Sequence, residues 1–112
     1  MLLMISWLDF EKIEIRTGTV LKVEDFPEAK KPAYKLTIDF GVTGIKKTSA
    51  QITTLYQKGE LVGKQLVAVV NFPPKQIANF MSECLVLGAV GEGGEVSLLS
   101  PHHEVSNGQL IG

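Results

Sequence analysis

Hydrophobic and polar residues alternate most clearly between Ile13 and Glu24. Ile13, Ile15, Thr17, Thr19, Leu21 and Val23 fall on one face of an extended chain, and Glu14, Arg16, Gly18, Val20, Lys22 and Glu24 on the other. A period of two predicts a long, half-buried strand. Gly18 in its middle marks a bend, a bulge or a close backbone approach. Ahead of it, Ser6-Trp7-Leu8-Asp9 has an N-cap serine with an acid three residues on, which predicts a short helix over about Trp7–Lys12. Tyr34, Leu36, Ile38 and Phe40 alternate with Lys35, Thr37 and Asp39 in a second strand. After the turn Gly41-Val42-Thr43-Gly44, a polar third strand covers about Ile45–Gln51.

Short helical pieces are expected over Thr53–Lys58 and Glu60–Val62, around Gly59 and Gly63. Leu66–Val70 is an apolar, β-branched run and reads as a buried strand, which Pro73-Pro74 ends. Cys84–Val90 is a further apolar strand. Glu92-Gly93-Gly94 turns the chain into Val96–Leu99, Pro101–Gly108 is a loop, and Gln109–Ile111 is expected to pair as a last edge. Five or more short strands with a helical insert fit an all-β fold with short helices, a small closed barrel. The insert between the third and fourth strands favours an OB-type barrel over a sandwich without deciding between them.

The 112 residues are enough for one domain with its own core, so residues 1–112 are read as a single domain. Cys84 is the sole cysteine, which fits a reducing, cytoplasmic setting and provides no Cys/His metal spacing. The apolar start Met1–Ile5 is short, lacks basic residues and is interrupted at Asp9, so neither a signal peptide nor membrane insertion is expected. An apolar start needs cover, and a second subunit is one way to provide it.

Net charge is −1, but its distribution is uneven: residues 1–29 carry −3, residues 30–75 carry eight lysines against Asp39 and Glu60, and residues 76–112 carry four glutamates and no base. The central basic third reads either as an anion-binding face or as an ordinary lysine-coated surface. Catalytic patterns are absent: no phosphate loop follows a strand, and there is no nucleophile elbow. His102 and His103 are neighbours expected to point apart on an extended chain, so no metal site and no cofactor are expected. Cys84, in an apolar strand beside Glu83, reads as an inert core thiol with a raised pKa.

Asn71-Phe72-Pro73-Pro74-Lys75-Gln76-Ile77 combines an aromatic ring, two amides and a base, the residue types that hold looped or single-stranded RNA. Its competing reading is a rigid loop whose Phe72 plugs the barrel. Lys47, Ser49 and Gln51 share one strand face that an apolar core cannot accept. Lys30 and Lys31 precede Pro32 on a stiff loop and can reach phosphates. Arg16 can take a phosphate bidentately or pair with a nearby glutamate.

The same residues carry a resemblance. The runs Asp9-Phe10-Glu11-Lys12, Glu14-Ile15-Arg16-Thr17-Gly18, Phe26-Pro27-Glu28-Ala29, Leu36-Thr37-Ile38-Asp39-Phe40-Gly41, Ser49-Ala50-Gln51-Ile52-Thr53, Asn71 to Ile77, Ser82-Glu83 and Leu85-Val86-Leu87-Gly88 occur in order along nearly the whole chain. Together they resemble the EMAP-II type tRNA-binding domain, and within it the CsaA-like branch described as secretion-related chaperones. The resemblance implies a five-stranded OB-fold barrel with terminal extensions, a homodimer formed through the terminal segments, and tRNA contacts at Lys31, Ser49 and Ser82, flanked by Gln51, Asn71 and Lys75. The sequence departs from the wider family at Cys84-Leu85, where Gly-Met is usual, and at Pro32, where leucine is usual.

Two functions of different classes follow. One is a non-catalytic, dimeric tRNA-binding module whose contacts are Arg16, Lys30, Lys31, Lys47, Ser49, Gln51, Asn71, Lys75, Gln76 and Ser82. The other is a chaperone for unfolded or export-bound proteins, holding apolar peptides along Phe72, Ile77, Phe80 and Met81.

Overall fold

The computed structural model describes residues 3–112, so the apolar start read over Met1–Ile5 lies outside them at Met1 and Leu2. Helix α1 covers Trp7–Glu11. Ser6 caps it reciprocally: its Oγ accepts the Asp9 N–H at 3.1 Å, and Asp9 accepts the Ser6 N–H at 3.0 Å. These bonds hold the Asp9 carboxyl below its ordinary pKa, the Ser6 backbone donor having the largest effect. No residue of α1 is buried.

Strand β1 runs Ile15–Asp25, β2 Tyr34–Asp39, β3 Ile45–Ala50, β4 Gln65–Val69 and β7 Leu85–Val86. They form one antiparallel sheet in the order β3-β2-β1-β4-β7. Helix α2, Lys58–Leu61, precedes β4. Two small hairpins, β5 (Lys75–Ile77) with β6 (Phe80–Ser82) and β8 (Gly88–Val90) with β9 (Val96–Leu98), complete the architecture. The sheet curls into a nearly closed five-stranded OB-type barrel, the expected all-β fold. Its core is Val20, Leu36, Ile38, Phe40, Ile52, Leu61, Leu66, Ala68 and Cys84.

The two faces of the β1 alternation do not sort into inside and outside. Gly18 and Val20 turn inward, the register then shifts between Val20 and Lys22, and beyond it Val23 packs against the core. One extra residue reverses the pleat, so Leu21 is left exposed. Gly18 is a close approach: a Cβ there would lie 2.6 Å from Ile38 Cγ2 and 2.7 Å from the Phe40 ring. Thr17, on the opposite face, is buried beneath residues 106–109. Its Oγ1 donates to Ser106 O at 2.8 Å and accepts the Gln109 N–H at 3.0 Å, while Gly108 N donates to Thr17 O at 2.7 Å. The expected last edge forms as a bridge between Arg16 and Leu110.

Two expectations need correcting, and one hairpin was not foreseen. Of the helix expected over Thr53–Lys58 only Lys58 is helical, as the first residue of α2. Residues 53–57 are turn and loop, where Tyr56 bolts the barrel: its carbonyl accepts from Tyr34 Oη at 2.9 Å and its hydroxyl accepts the Leu98 N–H at 2.8 Å. The run Cys84–Val90 is two strands, because Leu87 donates to Val67 O and accepts from Leu99 N, passing from one sheet to the other. The chain after Pro73-Pro74, to which the hydrophobic pattern assigned no element, makes the β5–β6 hairpin, turning at Ala78 with φ 52°.

Candidate nucleic-acid interface

The barrel seam, where β3 meets the β6–β7 corner, is closed by one residue acting as a substitute strand. Glu83 N donates to Lys47 O at 2.8 Å, and its carboxylate accepts the Lys47 N–H at 2.8 Å. Beside this clamp lies a directed chain of donors. Ser49 N–H lies 3.4 Å from Ser82 Oγ, Ser82 Oγ lies 2.8 Å from Thr48 Oγ1, and Thr48 Oγ1 donates to Cys84 O at 2.6 Å. The Thr48 proton taken by the carbonyl leaves Ser82 to donate to Thr48. Burial pushes the Cys84 thiol up to about 11, as its apolar setting implied.

A groove of about 630 Å³ opens next to this seam. Ser49, Gln51 and Lys75 supply its polar side, and Leu85, Leu87, Val90, Val96 and Leu98 its apolar wall. Phe72 stands at its edge, 54% exposed, so it does not plug the barrel. Of the expected residues, the groove therefore gathers Ser49, Gln51, Phe72, Lys75, Ile77 and Ser82. Ser82 is buried and its hydroxyl already bonded, which makes it a structural pin of the hairpin.

Other expected residues lie elsewhere. Asn71 is engaged internally: its Nδ2 donates to Lys12 O at 2.7 Å and its Oδ1 accepts the Glu14 N–H at 2.9 Å. Arg16 takes the ion-pair alternative, with Nε 2.8 Å from Glu14 Oε1 and Nη1 donating to Gly108 O at 2.8 Å. Both line a separate cavity of about 370 Å³ between the terminal segments, not the groove. The Gln76 amide donates to Ala78 O within its own hairpin at 3.1 Å. Met81 is exposed outside the groove, and Phe80 packs edge-on against Phe26. His102 and His103 do not point apart; their rings meet edge to face with centroids 5.1 Å apart.

Among the described residues, Lys58 is the one member of the central basic group in an ion pair, 2.8 Å from Asp25. Lys75 borders the groove, Lys30 and Lys31 are exposed on the β1–β2 loop, and Lys47 is exposed on β3. Lys64, by contrast, sits on the turn between α2 and β4 and does not line the groove. Thr48 and Glu83, which build the seam beside the groove, are residues that sequence reasoning missed; both were inconspicuous in their runs.

Residues 15–110 match the family model described as "Putative tRNA binding domain". The chain belongs to this tRNA-binding domain family. Among solved members with similar structures, the chaperone CsaA of Bacillus anthracis is 52% identical with a TM-score of 0.94, covering 98% of this chain and 100% of that one. The CsaA chaperone protein of Picrophilus torridus is 55% identical with a TM-score of 0.90, covering 97% and 100%. The methionine–tRNA ligase of Nanoarchaeum equitans is 35% identical over 108 residues, 96% of this chain. The tRNA-binding domain here spans only 14% of that ligase's length. Among the described residues of the domain, no group of three His, Cys, Asp or Glu side chains is placed to hold a metal ion, and no helix is long and apolar enough to cross a membrane.

Proposed function

We propose that the chain is a non-catalytic module that binds tRNA in the cytoplasm, working as a homodimer with residues 1–112 as its single domain. The observation that carries this reading is the family match over residues 15–110. The groove's composition supports it: an exposed aromatic ring for stacking, the Gln51 amide for base edges and Lys75 for phosphate stand at one opening. Lys31 and Lys47 add charge outside the groove. Dimerisation is supported by the terminal arm, whose Leu3, Met4, Ile5, Trp7 and Leu8 are all at least 70% exposed.

The test is tRNA titration across a salt series. Binding should weaken linearly in log–log form, by about 0.7–0.9 in slope for each phosphate contact. A triple Lys31→Glu, Lys47→Glu, Lys75→Glu variant should abolish it. Affinity indifferent to ionic strength would remove the basis for the proposal.

A second reading is favoured by the groove's largely apolar wall. Leu85, Leu87, Val90, Val96 and Leu98, with Phe72 and Ile77 at the rim, fit an extended apolar peptide, as an export chaperone requires. The two solved CsaA chaperones that the chain resembles support it. The triple lysine variant should leave capture of an apolar peptide largely intact, whereas Leu87→Asp should weaken it.

A further inference from the structure

We propose that Lys35 is a positioning residue: its ammonium latches the β1–β2 loop to the tip of the β5–β6 hairpin. This rests on the RNA-binding reading, because the two latched segments carry Lys30 and Lys31 on one side and Lys75 on the other.

The hairpin is a two-stranded unit whose ladder joins β5 only to β6. Its base is pinned to β3 through Ser82 and Glu83. Its tip projects toward the β1–β2 loop, and there Phe80 meets Phe26 with centroids 5.5 Å apart and planes inclined at 63°. Lys35 Nζ lies 4.8 Å from the Phe26 centroid and 5.3 Å from the Phe80 centroid. Both distances are inside the range at which an ammonium is attracted to the negative face of a ring. Phe26 is buried and opens the loop; Phe80 is half-buried and closes the hairpin turn.

A carboxylate partner for Lys35 is nearby but otherwise occupied. Glu24 is its ladder neighbour on β1, yet Glu24 lies 3.6 Å from Lys22 instead. The Lys35 cation is thus left to the rings, and reaching for a phosphate would break that contact. Held there, it fixes the orientation of the hairpin, whose base carries Lys75, relative to the loop that carries Lys30 and Lys31, two segments that share no backbone ladder. Binding a polyanion then requires less ordering of those segments.

The test compares wild type, Lys35→Met and Lys35→Arg by tRNA titration over a salt series, with amide hydrogen exchange on the RNA-free protein. Methionine keeps an apolar stem and removes the charge; arginine keeps the cation over the rings. Lys35→Met is expected to weaken tRNA binding about 5-fold with an unchanged salt slope. Exchange should quicken at the amides of Ala29, which donates to Phe26 O, and of Phe80, in the hairpin ladder, and Lys35→Arg should restore both. A slope reduced by about 0.7–0.9 would make Lys35 a phosphate contact and overturn the proposal. So would unchanged exchange, or an arginine variant behaving like methionine. Phe80→Leu, which removes one ring and no charge, should reproduce the exchange change of Lys35→Met. If wild-type protein binds no tRNA, the RNA reading fails, while the exchange comparison still decides whether the latch exists.

Discussion

Replacing Thr48 by valine removes one buried hydroxyl and keeps the side-chain shape. In the native protein that hydroxyl donates to Cys84 O at 2.6 Å and meets Ser82 Oγ at 2.8 Å. Without it, two groups lose a partner. Ser82 Oγ lies 3.4 Å from Cys84 O, a long contact that replaces neither lost bond in full, so the two groups together are left short of about one hydrogen bond. An unpaired buried polar group costs about 1–3 kcal/mol, which puts Thr48→Val near 2 kcal/mol. Ser82→Ala is milder, because Thr48 keeps its bond to Cys84 O; the loss is about 1 kcal/mol. The two share a hydrogen bond, so the double variant should lose less than the sum, with a coupling of about 1 kcal/mol. Urea unfolding of the four proteins measures all three quantities, and Tm should fall by about 4 °C per kcal/mol in a domain of this size. Equal losses in the single variants, or strict additivity, would refute the directed chain of donors. The same Ser82→Ala protein tests function: folded, it should bind tRNA within about 2-fold of wild type, since its hydroxyl is committed internally. A tenfold loss would restore Ser82 as a direct contact.

Gly18→Ala should destabilise by about 1–3 kcal/mol in the same assay, because its Cβ would meet the fully buried Ile38 and Phe40, which have nowhere to move. Ala78→Gly should stabilise by about 0.5–1 kcal/mol, since Ala78 holds φ at 52°, where a Cβ is strained; a lowered Tm would count against that strain. Cys84 makes stability depend on alkaline pH. Its folded pKa of about 11 lies above the ordinary 9.0, so the contribution is intact below pH 9 and is lost as pH rises toward 11. Cys84→Ala should flatten that decline, and the native thiol should resist a disulfide reagent at pH 8 until the protein unfolds.

The core face of β2 was legible because Leu36, Ile38 and Phe40 repeat with period two and no irregularity intervenes. The α1 cap was legible because both its partners lie within three residues. The β1 faces were not, since residue type does not mark the extra residue at which the pleat reverses. The β5–β6 turn was hidden by Ala78-Asn79, which lacks the glycine that usually signals a two-residue hairpin. Asn71 and Arg16 have free-looking polar groups in sequence; their partners come from distant segments, 57 and 59 residues away for Asn71 and 92 for the Arg16 contact to Gly108. The Ser49 and Gln51 strip reached its groove as the strand period required, but the apolar wall opposite it arrives from β7, β8 and β9.

The bonds joining Thr17 to residues 106–109 set an order of events during synthesis. The first strand of the barrel emerges from the ribosome before its partners. Although its residues 19–25 soon pair with β2, residues 15–17 of that edge and the hydroxyl of Thr17 stay bonded to water until some ninety further residues have followed. Native topology therefore cannot be completed piecemeal from the N-terminus. A translational pause before residue 106 would leave an unsealed strand beside an apolar arm, and both would be open to association with neighbouring nascent chains.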